Sequence, residues 1–285
     1  MVRARGGGAA RPDGGAGVSA PSPERRPVRR FVAIGDSTTE GVGDPLDPRH
    51  PATSPLRGWA DRLAERLTAL EPGLAYANLA VRGRKAREIR EEQLGPALAL
   101  DPDLVAMTGG LNDLVRPKFD LDAVLGELDA MQRAVTAAGG TVLTFTLPDL
   151  SAFVPTARPV RGRLATYNAG LHALARRHGT VLADVSARPV AADPRLWAAD
   201  RLHPNPDGHE RLAAAAAEAL GLPDAGDGWT VALPPPPPVR LPTVVARETV
   251  WTVRFLAPWV GRRLRGTSSG DGRTAKRPAL APVDR

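Results

Sequence analysis

Phe31-Val32-Ala33-Ile34-Gly35-Asp36-Ser37-Thr38-Thr39-Glu40-Gly41 is the stretch on which the reading of the fold turns. Its apolar run reads as a buried strand, and Gly35 stops it. Ser37 then sits where the chain turns out of the strand. In an α/β protein the carboxyl end of a central strand is where ligands meet the chain. A serine there is placed to react if a base and oxyanion donors converge on it. It is equally a turn residue or a helix cap if they do not.

Outward from this stretch, strands and helices alternate. Residues 42–55 hold four prolines and read as a loop beside Ser37, after which Ser54-Pro55 predicts an N-cap and a first-turn proline. Trp59, Leu63, Leu67 and Leu70 follow at helical spacing, a stripe meant for a sheet, with Trp59 read as core. Strands are predicted near 76–80, 104–108, 141–147 and 180–185, with helices near 85–99, 121–138, 163–178 and 206–220. Five strands alternating with helices predict a three-layer α/β/α protein with a parallel sheet.

The chain has 285 residues, of which 42% are hydrophobic, enough for a core. It has no cysteine, so disulfides and thiolate metal sites are excluded, which fits a reducing compartment; residues 3–30 hold no apolar run of signal-peptide length, and a cytoplasmic location is expected. The formal charge of +7 is unevenly divided. Residues 1–30 carry seven Lys/Arg against two Asp/Glu, and 240–285 carry ten against three, which leaves 31–239 at −5. An acidic body argues against a nucleic-acid-binding core. No 18-residue uncharged apolar stretch predicts a membrane span.

The expected organisation is a disordered basic lead-in over 1–28, a catalytic domain over 29–222 and a Pro-rich linker over 223–242. The linker holds five consecutive prolines, 234–238. An amphipathic helical segment over 243–265 and a disordered tail over 266–285 complete the chain. Trp251, Phe255 and Trp259 share one face of that segment, and Pro258 must kink or restart its helix. With the neighbouring arginines they suit docking onto the domain or peripheral contact with an anionic membrane.

Ser37 needs a base. Of five histidines, His172 and His178 read as surface residues of a helix, His50 lies in the Pro-rich loop and His209 in the last helix. His203 lies in a loop three residues after Asp200, at the expected carboxyl edge. A carboxylate so placed holds the Nδ1 proton of an imidazole while Nε2 faces the serine. Gly83 brings a bare backbone N–H and Asn112 a side-chain amide to the ends of two further strands, as oxyanion donors require. Singly, Gly83 is also a turn glycine and Asn112 an Asx-turn residue. Arg116 and Phe153 are candidate substrate contacts on nearby loops.

Gly35-Asp36-Ser37, Gly83, Gly110-x-Asn112-Asp113 and Asp200-x-x-His203 resemble the four signature blocks of the SGNH (GDSL-type) serine hydrolases, in family order over about residues 30–220. The sequence also resembles a bacterial subgroup that continues past the catalytic domain with a basic, Trp-containing tail. The resemblance implies a flavodoxin-like fold with strand order 2-1-3-4-5 and neither metal nor cofactor. It implies Ser37 as nucleophile, His203 as base and Asp200 as its orienter, with Ser37 N–H, Gly83 N–H and the Asn112 side chain around the oxyanion. Thr38 stands where the leucine of the G-D-S-L block would be, and Thr39 breaks the G-x-S-x-G elbow of α/β-hydrolases. The implied activity is cleavage of a small-molecule or lipid ester through an acyl-enzyme. Acyl transfer on the same scaffold and a membrane- or partner-binding role for the tail are the alternatives. Metal-dependent phosphoester hydrolysis by Asp36, Asp113, Asp200 and His203 is disfavoured, because only His203 is well placed as a ligand.

Overall fold

The structure, a computed structural model, describes residues 27–223, 225–236 and 241–283. Strand β1 (Arg30–Ile34) leads into the short helix α1 (Ser37–Glu40), then α2 (Gly58–Leu70) and β2 (Ala75–Asn78). Helices α3 (Ala86–Ile89) and α4 (Gly95–Ala99) are joined by a π turn over Arg90–Leu94. Next come β3 (Leu104–Met107), α5 (Leu111–Leu114), α6 (Leu121–Ala137), β4 (Thr141–Phe145) and α7 (Arg161–His178). Strand β5 (Val181–Ala183) and α8 (Pro206–Ala219) close the domain. The C-terminal segment adds α9 (Leu241–Trp251), α10 (Ala257–Leu264) and β6 (Arg277–Pro282).

The sheet order is β5-β4-β3-β1-β2-β6. The first five strands are parallel in the 2-1-3-4-5 order, and β6 joins antiparallel to β2. Alternation along β1 explains the three layers. Phe31 and Ala33 enter a core with α2 and α8, whereas Val32 and Ile34 enter a second core with α3, α6 and α7. Trp59 is fully buried in the first core, edge-on to Phe145 at 4.6 Å.

Two expectations fail. Helix α2 begins at Gly58, not behind a Ser54 cap: Ser54 Oγ accepts from Asp47 N, and Pro45 bridges to Leu56, closing the loop on itself. The helix is capped from afar instead. Gly58 N donates to Asp44 Oδ2 at 3.1 Å and Trp59 N to His209 Nδ1 at 3.1 Å.

The expected disordered tail over 266–285 is likewise corrected. Its β6 extends the sheet to six strands, supplying partners to the free edge of β2. Lys276 Nζ donates to Leu56 O, Arg57 O and Asp61 Oδ2, and Arg277 Nε donates to Tyr76 O at 2.9 Å. The expected lead-in lies outside the described residues except for 27 and 28, as do Pro237 and Pro238 of the proline run.

Candidate active site

Ser37 opens α1 directly beyond β1, with Asp36 as N-cap accepting from Thr38 N at 3.1 Å. The cap is buried, and burial raises the Asp36 carboxyl to about 6. His203 lies on the loop before α8. Its Nδ1 is 2.6 Å from Asp200 Oδ2, while Asp200 Oδ1 accepts from Leu202 N and His203 N. Burial pushes the Asp200 carboxyl up, but its bonds to His203 and these amides outweigh that and hold it below the usual carboxylate range. Nδ1 is thereby committed, and Nε2 is left as the proton acceptor.

Gly83 adopts φ +81°, a conformation that side chains rarely tolerate, at the turn beyond β2. Three contacts fix that turn. Glu40 at the end of α1 accepts from Arg82 N at 2.7 Å and pairs with its guanidinium. Asn112 Nδ2 donates to Arg84 O at 3.1 Å, and Asp113 Oδ2 accepts from Ala86 N at 3.0 Å. Asp113 entered the sequence reading only as part of the third block and as a disfavoured metal ligand, and Glu40 only as part of the first stretch; neither was read as fixing this turn. Their signal was charge beside a glycine turn, which is uninformative until the turn is placed.

Ser37, Gly83, Asn112, Asp200 and His203 all line one cavity of about 650 Å³. Arg116 and Phe153 do not line it: the Arg116 carbonyl accepts from Arg163, and Phe153 packs 6.3 Å from Trp197, which does line the cavity. The other four histidines lie outside it. His50 pairs with Asp47, His172 with Asp184 and His178 with Asp129. His178, read as a surface residue, keeps only 12% of its side chain exposed. His209 is fully buried, accepting from Trp59 N and donating Nε2–H to Val42 O, and burial lowers it to about 4.

The C-terminal segment roofs the cavity with Trp251, Phe255, Leu256 and Trp259. A π turn over Thr252–Leu256 separates α9 from α10 just before Pro258, whose missing N–H cannot continue a regular ladder. Ser268 packs onto Gly83: a Cβ at position 83 would sit 2.0 Å from Ser268 Oγ.

The model of the GDSL-like lipase/acylhydrolase family matches residues 33–211. The chain belongs to this family. GDSL-like hydrolases cleave carboxylic esters, and this protein is a carboxylic-ester hydrolase. No curated protein matches its sequence significantly. Among solved structures, the α/β-hydrolase enzyme LAE5 from the metagenome of Lake Arreo, Spain, is 25% identical, with TM-score 0.55 over 68% of this chain and 95% of that one. Axe2, an acetylxylan esterase from Geobacillus stearothermophilus, is 20% identical (TM-score 0.55; 70% and 97% covered), and shares the fold. So does the psychrotrophic esterase EstA from Pseudoalteromonas, at 14% identity (TM-score 0.52; 68% and 97% covered). Nearly the whole of each neighbour is spanned by about two thirds of this GDSL-like hydrolase. Among the described residues no helix is long and apolar enough to cross a membrane.

Proposed function

We propose that this GDSL-like hydrolase is a serine esterase that cleaves esters of apolar acyl chains through an acyl-enzyme on Ser37. His203 takes the serine proton through Nε2 and returns it to the leaving alcohol, and Asp200 holds the imidazole in the required tautomer. Ser37 N–H, Gly83 N–H and the Asn112 amide bind the oxyanion. Water then repeats the path on the acyl group. The observation that carries this reading is the 2.6 Å Asp200–His203 bond at the edge of a cavity shared by Ser37, Gly83 and Asn112.

The apolar roof and a volume well beyond that of an acetyl group support a longer acyl chain. On nitrophenyl esters, kcat/KM is expected to rise from acetate through octanoate, by up to about fourfold per methylene at ~0.8 kcal/mol each. Ser37→Ala should lower every member of the series at least about a thousandfold. A flat or falling series with a Ser37-dependent rate would refute the apolar pocket alone. A rate indifferent to Ser37 refutes the mechanism.

A second reading concerns the outer side of α9 and the turn after it, where Val245, Val250 and Val253 are 57%, 58% and 68% exposed. These valines, beside the basic residues of the segment, support peripheral contact with an anionic lipid surface. Co-sedimentation with phosphatidylserine vesicles should fall when all three become serine. Unchanged binding rules the contact out.

A further inference from the structure

The loop that carries Asp200 and His203 is gripped from a part of the chain about fifty residues away. Glu248 on α9 receives Arg201 through two bonds, Nη1 at 2.8 Å and Nη2 at 2.6 Å. The Arg201 guanidinium also lies over the Trp251 ring, 4.7 Å from its centroid. The Trp251 indole, nine-tenths buried, donates Nε1–H to the backbone carbonyl of Asp200 at 3.1 Å. Arg201 adopts φ +59°, a left-handed conformation that is strained for a side-chain-bearing residue. A strained residue persists where its surroundings over-determine it, and here the surroundings are Glu248 and Trp251.

Asp200 is thus fixed from both sides. Its carboxylate faces His203 Nδ1, and its carbonyl faces the C-terminal helix. Rotation of the peptide after Asp200 would swing the Leu202 and His203 amides that orient the carboxylate. The matched family region ends at 211, so Asp200 and Arg201 lie within it while Glu248 and Trp251 lie beyond it.

We propose that Trp251 and Glu248 are positioning residues for the Asp200–His203 pair, and that α9 is a working part of this active site. The proposal rests on the reading of His203 as the base. It concerns the alignment of that base; Trp251 also lines the cavity, and its replacement by Phe keeps an aromatic ring there. Loss of the latch therefore lowers kcat with KM nearly unchanged. It also weakens the bond that stabilises the imidazolium, so the acid limb of the kcat/KM profile moves to lower pH.

The experiment uses the full chain with Trp251→Phe, which keeps the ring and loses the N–H, and Glu248→Gln, which keeps the shape and loses the charge. Thr249→Ala, on the exposed side of α9, is the control. Each latch variant should lower kcat about tenfold. Titration of the His203 imidazole by NMR, with no substrate present, should move to lower pH in both variants. Asp36 and His209, which interact electrostatically with His203, are the same in every protein compared.

An unmoved imidazole titration overturns the proposal, even if melting temperature and kcat fall together, since that pattern is a structural role only. If the wild type cleaves no ester while the imidazole still responds to both variants, the catalytic reading fails and the latch stands. Should Trp251→Phe fail to fold, Glu248→Gln decides by the same readouts.

Discussion

His209 joins the loop after Ser37 to the start of α2. It accepts from Trp59 N and donates to Val42 O, so it is neutral in the fold. Burial depresses it to about 4 from an ordinary 6.5. Between those values the unfolded chain binds a proton that the native one does not, so this residue's contribution to stability is complete above 6.5 and lost as pH falls toward 4. Asp36 has the opposite sign. Raised to about 6 from 3.8, its contribution is complete below 3.8 and lost as pH rises through 6. His209→Gln is expected to destabilise by about 1–3 kcal/mol at pH 7, from an unsatisfied amide. The gap to wild type should narrow between pH 6.5 and 4 in urea melts. A gap constant with pH contradicts the assignment of a buried neutral imidazole.

Among the elements, β6 and the turn before it show where local sequence stops being informative. Arg277-Pro278-Ala279-Leu280-Ala281-Pro282 lacks β-branched residues and contains two prolines, a composition that disfavours a strand. Proline is tolerated on an edge strand, and pairing with β2 makes β6 one. The order of this tail comes from β2 and from the Leu56, Arg57 and Asp61 oxygens that receive Lys276, about two hundred residues away. The α2 cap was illegible for the same reason. By contrast, β1 was legible because an apolar run that ends in glycine is a local signal, as was the Asp200–His203 spacing.

The turn before β6 lies against the Gly83 turn, where a Cβ on the buried Gly270 would fall 1.9 Å from Arg82 O. Gly270→Ala should therefore lift the segment, costing about 1–3 kcal/mol by overpacking. Faster hydrogen exchange over 266–283 checks it. Unchanged exchange would show that the contact between these turns is loose.

At the scale of the whole molecule, the five-strand α/β domain arranges its candidate site as such sheets do, with Ser37, Gly83, Asn112 and the Asp200–His203 pair each beyond the end of a different strand. The segment from 241 onward lines the cavity with aromatic side chains, holds the Asp200 loop, packs on Gly83 and finishes the sheet at β6. Composition had separated this segment from the body by its charge and prolines, and pattern could say only that its aromatic face was amphipathic. Which surface that face meets is a tertiary fact.

The central claim is that Ser37 is the nucleophile and that His203 activates it. Incubation with a fluorophosphonate, digestion and mass spectrometry measure this directly. A single phosphonyl adduct on Ser37, formed in wild type and suppressed in His203→Ala, is the expected result. An adduct on another serine, or equal labelling of Ser37 without His203, contradicts the account.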